Sequence, residues 1–153
     1  MSRILDIETN QSTNRHEFST EDLRARNRSL FNLEDLCAII IGCGAIGSFT
    51  ASTLARMGVK DFVLYDGDLV APENIGVQDF TYHQLGKTKC EAVKQNIHAI
   101  NPVANVIYDT AYVEELNRHG QPFKFSLYQN NQDDIRKYVI VTALDSMEAR
   151  KTV

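Results

Sequence analysis

Residues Cys37 to Ile41 form an unbroken apolar run, the pattern of a strand buried on both faces of a parallel sheet. From Ala45 to Met57 the apolar residues Ile46, Phe49, Leu54 and Met57 recur at helical spacing, and Gly58 ends the pattern. Asp61 to Tyr65 reads as a second strand, closing one βαβ unit of about thirty residues. A polar, irregular stretch follows from Gly67 to Gly86, and loops of this length inside a domain are usually functional. Gly86 to Ile100 is predicted as a second helix with Ala92, Val93, Ile97 and Ile100 on its buried side. Asn101-Pro102 ends it, because proline cannot continue the hydrogen-bond ladder. Val103 to Tyr108 is a third strand, Val113 to His119 a short helix, and Tyr138 to Ala143 a fourth strand. Gly120 to Asp134 carries no clear period and ends in a run of amides and acids that suits a surface loop.

Strands alternating with helices predict an α/β fold, a Rossmann-like open parallel sheet with flanking helices and right-handed crossovers. The simplest strand order is 3-2-1-4, which places a ligand at the carboxyl ends of the strands beside the switch point. A doubly wound sheet normally continues past its fourth strand, so the second half of such a sheet is expected to be missing here. Residues 1–18 are polar and unpatterned and read as a mobile N-terminal arm, with 19–153 as the nucleotide-binding domain. Ser19-Thr20-Glu21-Asp22 opens that domain as a helix start, an N-cap hydroxyl followed by acids. The helix would run to about Phe31 and display Arg24, Arg26 and Arg28; a solvated amphipathic face is the plainer account of it.

Composition narrows the class. The 153 residues are 43% hydrophobic and 24% charged, ordinary for a globular domain with a real core. A net charge of −4 argues against a nucleic-acid binder. Three cysteines without a C-x-x-C pair exclude a zinc ribbon and a thioredoxin motif. With a polar start and no long apolar run, the expectation is a cytoplasmic protein without membrane contact.

The turn after the first strand reads Gly42-Cys43-Gly44-Ala45-Ile46-Gly47, a G-x-G-x-x-G sequence, and Asp66 closes the next strand. Such a turn brings backbone N–H groups against phosphate at a helix N-terminus. Asp66 lies roughly twenty residues beyond the first glycine, as for an acid that holds ribose hydroxyls. Taken alone, the arrangement suits an NAD or FAD binder. Without any ligand, the glycines would still permit the tight turn and close helix packing.

The residues that follow are more specific. Tyr65-Asp66-Gly67-Asp68-Leu69-Val70 is followed by Asn74-Ile75-Gly76-Val77-Gln78. Then come Leu85-Gly86-Lys87-Thr88-Lys89, Ile100-Asn101-Pro102 and Asp145-Ser146-Met147-Glu148-Ala149-Arg150. From about Leu33 onward this resembles the ThiF/MoeB/HesA family, which activates ubiquitin-like proteins. Its pattern has D-x-D-x-V, N-x-x-R-Q, I-G-x-x-K, I-N-P and D-N-x-x-x-R in that order. The resemblance implies binding of ATP and Mg²⁺ and adenylation of a carboxylate, such as the C-terminus of a ubiquitin-like sulfur-carrier protein or a related acyl substrate. By position, it assigns Gly42, Gly44, Gly47, Asp66 and Asp68 to the nucleotide, with Asp66 on the ribose. It sets Asn74, Gln78 and Lys89 at the phosphates, Lys89 as the charge-neutralising catalytic cation, and Asp145 on Mg²⁺. It further implies a homodimer in which an arginine of the N-terminal segment, best matched by Arg28, reaches the partner's site. Some relatives act on tRNA, the one nucleic acid the resemblance admits.

Each residue also has a plainer role. Lys87 and Lys89 suit the surface of a first helical turn, Asn74 and Gln78 suit loop backbone, Asp145 suits a helix cap, and Cys43 suits a small buried side chain. Val77 stands where the family pattern has arginine, and an aliphatic side chain cannot bind phosphate. Three readings stay open: an adenylating enzyme, a catalytically impaired nucleotide-binding remnant of the same family, and an NAD-binding domain.

Overall fold

The computed structural model describes residues 19–25, 33, 35–111 and 137–145. Within them four strands, β1 (Leu36–Ile41), β2 (Asp61–Tyr65), β3 (Asn105–Asp109) and β4 (Lys137–Thr142), form one parallel sheet in the order β3-β2-β1-β4. Helix α1 (Thr20–Arg24) precedes the sheet, α2 (Ala45–Arg56) joins β1 to β2, and α3 (Lys89–Ile100) lies between β2 and β3. This is the order expected from the alternation of strands and helices. The predicted helix at 113–119 and the loop at 120–134 lie outside the described residues, as do the arm at 1–18, Arg26 and Arg28. Among the described residues no helix is long and apolar enough to cross a membrane.

Strand β1 sits second from the edge and is buried on both faces, which is why its apolar run lacks alternation. Ala38 and Ile40 point toward the two helices, where they join Phe62, Leu64, Val106, Ala51, Ala55, Ala92, Val93 and Ile97. Cys37, Ile39 and Ile41 point the other way and pack with Val63, Tyr65, Ile107 and Leu144. Each fully buried Ile, Leu or Phe in these clusters stabilises the fold by about 1.5–3 kcal/mol. Ile40 pairs with Leu64 on one side and Val141 on the other, and this register sets the strand ends level.

Five expectations change. Helix α2 buries Gly47, Ser48, Ala51, Ser52 and Ala55, whereas Ile46 and Phe49 of the apolar stripe are 65% and 52% exposed. Close approach selects small residues: a Cβ on Gly47 would lie 1.8 Å from the Gly42 carbonyl oxygen. Helix α3 starts at Lys89, because Gly86 and Lys87 form a turn hydrogen-bonded to Val70, Thr88 bridges Leu69, and Thr88 Oγ1 accepts the Glu91 N–H at 3.2 Å as N-cap. Strand β3 starts at Asn105, since a turn from Asn101 to Ala104 occupies the first predicted residues. Strands β1 and β4 each begin one residue early, Leu36 and Lys137 forming the first pair of their ladder.

Arg24 is the fifth change. Helix α1 opens after Ser19 as predicted, with the Ser19 N–H donating to Asp22 Oδ2 at 2.8 Å, yet Arg24 is buried rather than displayed. Its guanidinium pairs with Glu21 at 3.7 Å and its stem lies over Gly58, where a Cβ would come within 2.5 Å.

Candidate functional site

The carboxyl ends of β1, β2 and β4 meet around the turn Gly42–Gly44. Gly42 has φ of 91°, and a Cβ there would lie 2.7 Å from the Ala143 carbonyl oxygen at the end of β4. Gly42 N–H donates to the Tyr65 carbonyl at 2.8 Å, and Ala143 N–H donates to Ile41 at 2.7 Å. Gly42 and Gly47 are therefore required by the packing of the turn itself. Gly44 is not: its φ is −73°, and among the described residues nothing lies within 4 Å of where its Cβ would be. It is the glycine whose missing side chain leaves space over the turn. Helix α2 begins beside it without a side-chain cap or an acid in its first turn, so its N–H groups and dipole face that space.

Asp66 closes β2 and accepts two backbone hydrogen bonds, from Cys43 N–H to Oδ2 at 2.6 Å and from Asp68 N–H to Oδ1 at 2.8 Å. Burial pushes its carboxyl above the usual carboxylate value, against the pull of those two N–H groups and of Lys89; the charge of Asp68 adds to the rise. Lys89, the first residue of α3, is only 8% exposed. Its ammonium lies 2.7 Å from Asp68 Oδ2. Burial acts to lower its pKa, but the Asp68 hydrogen bond and the charges of Asp66, Asp68 and Asp145 outweigh it and hold the group above the usual lysine value. One cation is thus set among three acids drawn from the ends of β2 and β4.

The loop supplies the rest. Asn74 ends a 3-10 turn (Pro72–Asn74) and its Oδ1 accepts the Ala71 N–H at 2.9 Å, the plainer role foreseen for it. Gln78 Oε1 is buried with no hydrogen-bond partner among the described residues, an unmet acceptor that costs free energy unless something donates to it. Val77 between them is 63% exposed. Arg28 lies outside the described residues. Asp66, Asp68 and Lys89 come together through direct hydrogen bonds, Asp145 lies exposed beyond the end of β4 and acts on Lys89 through its charge, and Asn74 and Gln78 stand on the loop after β2.

A polar network that sequence reasoning did not single out fixes this loop to the helices. Ser52 Oγ donates to Asp79 Oδ2, Asp79 N–H donates to Ser48 Oγ at 3.0 Å, and Asn96 Nδ2 donates to the Asp79 carbonyl. Buried Gln84 adds bonds to the Ala92 carbonyl and Asn96 Oδ1. The available signal was the pair Ser48 and Ser52, four residues apart on the small-residue face of a helix. Cys43 and Cys90 are fully buried with sulfurs 3.9 Å apart. The hydrogen bond between them, followed by burial, pushes the Cys43 thiol well up, which makes it a packed side chain and not a nucleophile.

Comparison with known proteins bears on the family and the fold. The family model described as "ThiF family" matches residues 20–153. Ubiquitin-like modifier-activating enzyme 5 of Drosophila mojavensis is 29% identical over 124 residues, covering 79% of this chain and 30% of the relative. The structure of tRNA N6-threonylcarbamoyladenosine dehydratase, TcdA, from E. coli superposes with a TM-score of 0.68 at 21% identity, covering 86% of this chain and 54% of that one. The structure of E. coli MccB with ATP gives a TM-score of 0.52 at 24% identity over 65% of this chain and 28% of MccB. At these identities the two structural likenesses establish a shared fold. The chain spans about 30% of the length of the first curated relatives it matches.

Proposed function

The chain belongs to the ThiF family, and on that premise we propose that it binds ATP with Mg²⁺ at the ends of β1, β2 and β4 and adenylates a carboxylate. The observation that carries this reading is the Lys89–Asp68 ion pair beside Asp66, whose carboxylate holds the Cys43 N–H next to the open space at Gly44. That MccB was crystallised with ATP supports the choice of nucleotide.

Each residue has work it is suited to. Asp66 keeps lone pairs on both oxygens after accepting Cys43 and Asp68, and these can take ribose hydroxyl protons. Gly44 and the uncapped start of α2 let phosphate approach backbone donors. Lys89 presents its ammonium to the α-phosphate, where negative charge grows as the acyl oxygen attacks phosphorus. The bond that breaks joins the α-phosphorus to the bridging oxygen, and pyrophosphate leaves with that oxygen's electron pair. No protein nucleophile is needed.

Three carboxylates whose charges act on one ammonium would repel a polyphosphate, so the donor set fits a divalent cation. Mg²⁺ is commonly held by one or two carboxylates plus phosphate oxygens, and exposed Asp145 beyond the end of β4 is the residue to provide one. When bound, the ion would neutralise the leaving pyrophosphate.

For the acyl substrate, the C-terminus of a ubiquitin-like sulfur-carrier protein is the first choice, because a relative carries the name of a ubiquitin-like modifier-activating enzyme. The likeness to a tRNA dehydratase keeps a tRNA-borne carboxylate as the second. Arg28 from a partner copy is assigned as a further cation at the phosphates. Exposed Val77 favours one other reading, a nucleotide binder that has lost turnover, since the family's arginine is replaced there by a group with no charge.

Calorimetry with Mg·ATP and with NAD, followed by pyrophosphate exchange against candidate acyl partners, tests the proposal. ATP binding with exchange supports the enzyme, and Lys89→Ala should abolish that exchange. ATP binding without exchange supports the impaired binder, and NAD binding without ATP binding removes both.

A further inference from the structure

Lys89 is tied to Asp68 twice. Its backbone N–H donates to the Asp68 carbonyl at 2.9 Å, and its ammonium donates to Asp68 Oδ2 at 2.7 Å. The pair closes the neck of the long loop. Beside it Leu69 and Thr88 form an antiparallel bridge, Val70 N–H donates to Lys87 at 2.8 Å and Gly86 N–H to Val70 at 2.9 Å. Helical side chains lean toward the helix N-terminus. As the first residue of α3, Lys89 is thereby aimed back at the strand ends with little freedom to point elsewhere.

The two partners are not alike in their surroundings. The Lys89 side chain is 10% exposed, that of Asp68 49%. A buried ammonium must keep an anionic or hydrogen-bonding partner, whereas a half-exposed carboxylate is served by water if it loses the lysine. Any phosphate that reaches Lys89 meets an ammonium already held by Asp68, and the two anions compete for its N–H donors.

We propose that Asp68 is a positioning residue for Lys89, whose carboxylate competes with the nucleotide phosphate for the ammonium and so sets the affinity of the site for polyphosphate. The proposal rests on the nucleotide-binding reading above and assigns Asp68 an action opposite to that of a ligand: it weakens binding while it stabilises the fold. Exchange of partner keeps Lys89 paired throughout, so the buried charge is never left alone when phosphate arrives or departs.

The test is calorimetry on the full chain with two probes, Mg·AMPPNP and adenosine, together with melting temperatures. Asp68→Asn should lower the melting temperature yet bind Mg·AMPPNP about fivefold more tightly, the range of a part-exposed ion pair. Adenosine, which has no phosphate, should bind both forms equally. Asp68→Glu should restore the wild-type affinity. In a Lys89→Ala background the Asn substitution should change nothing, because the cycle isolates the pair. Weaker or unchanged AMPPNP binding in Asp68→Asn overturns the proposal. So does a parallel change in adenosine binding, or a gain that persists without Lys89. If the wild-type chain binds neither probe, the nucleotide reading falls and this inference falls with it; if wild type binds and the Asn variant gains nothing, only the inference falls.

Discussion

The N–H of Cys43 donates to Asp66 Oδ2 at 2.6 Å, so the acid at the end of β2 shapes the glycine turn at the end of β1. The two strands are paired in parallel, Ile41 beside Tyr65, and the bond extends that pairing one step past the sheet. Asp66 is thus a builder of the turn before it is a receiver of any ligand.

Replacing Asp66 by alanine should cost about 1–3 kcal/mol in chemical denaturation, because Cys43 and Asp68 N–H groups lose their acceptor. Its pH dependence has a definite sign. Burial raises the carboxyl above its ordinary value of 3.8, so the folded state holds the proton more tightly than the unfolded state. Stability from this group is therefore present below pH 3.8 and is lost as pH rises through the raised value. Asp66→Asn removes that loss. Its melting temperature relative to wild type should climb across the interval just above pH 3.8, and a flat difference would contradict the assignment.

The glycines should separate by role. Gly42→Ala meets both a positive φ and the Ala143 carbonyl, and should destabilise by about 1–3 kcal/mol or more. Gly44→Ala has an ordinary φ and open space, so its melting curve should match wild type while Mg·ATP affinity drops. Equal melting losses in both variants would remove the special place given to Gly44.

Val77→Arg tests what the loop lacks. The position is exposed, so the fold should change by no more than about 0.5 kcal/mol. If the site retains its other parts, pyrophosphate exchange should rise on the order of tenfold or more, as expected for a cation placed on developing phosphate charge. No gain over wild type would argue that turnover was lost elsewhere as well.

Ser52→Ala removes the hydroxyl that donates to Asp79, and with it one of the ties between the loop and α2. A loss of about 1–2 kcal/mol is expected. Amide hydrogen exchange should quicken from about residue 76 to residue 81 and stay slow in β1, since the bond anchors the loop and not the sheet. Uniform quickening would show that the network supports the core instead.

Periodicity and turn chemistry made the sheet readable in advance. The apolar run at β1, the acid at the end of β2 and Asn101-Pro102 after α3 are local signals, and each element they announced is present. Asn101 goes further than its stop signal suggested, since its side-chain amide also bonds the Val59 carbonyl at 3.0 Å. The misreadings share a cause. Ile46 and Phe49 look like a core stripe by hydropathy alone, but α2 must approach the Gly42 turn so closely that its serines, alanines and Gly47 face inward. Arg24 looks solvent-facing, but Gly58 offers its stem a bed that no local rule announces.

From the chain alone came the order of strands, the glycine turn, Asp66 and the family whose motifs run from Leu33 onward. These depend on neighbours in sequence, on alternation, spacing and turn residues. Tertiary structure decided what the polar residues do: that Asn74 caps its own turn, that Gly44 differs from Gly42, that Ser48, Ser52, Asp79 and Asn96 hold the loop, and that Lys89 rests on Asp68. Such pairings join residues far apart along the chain, and only the packing of helices on the sheet brings their atoms within hydrogen-bonding distance.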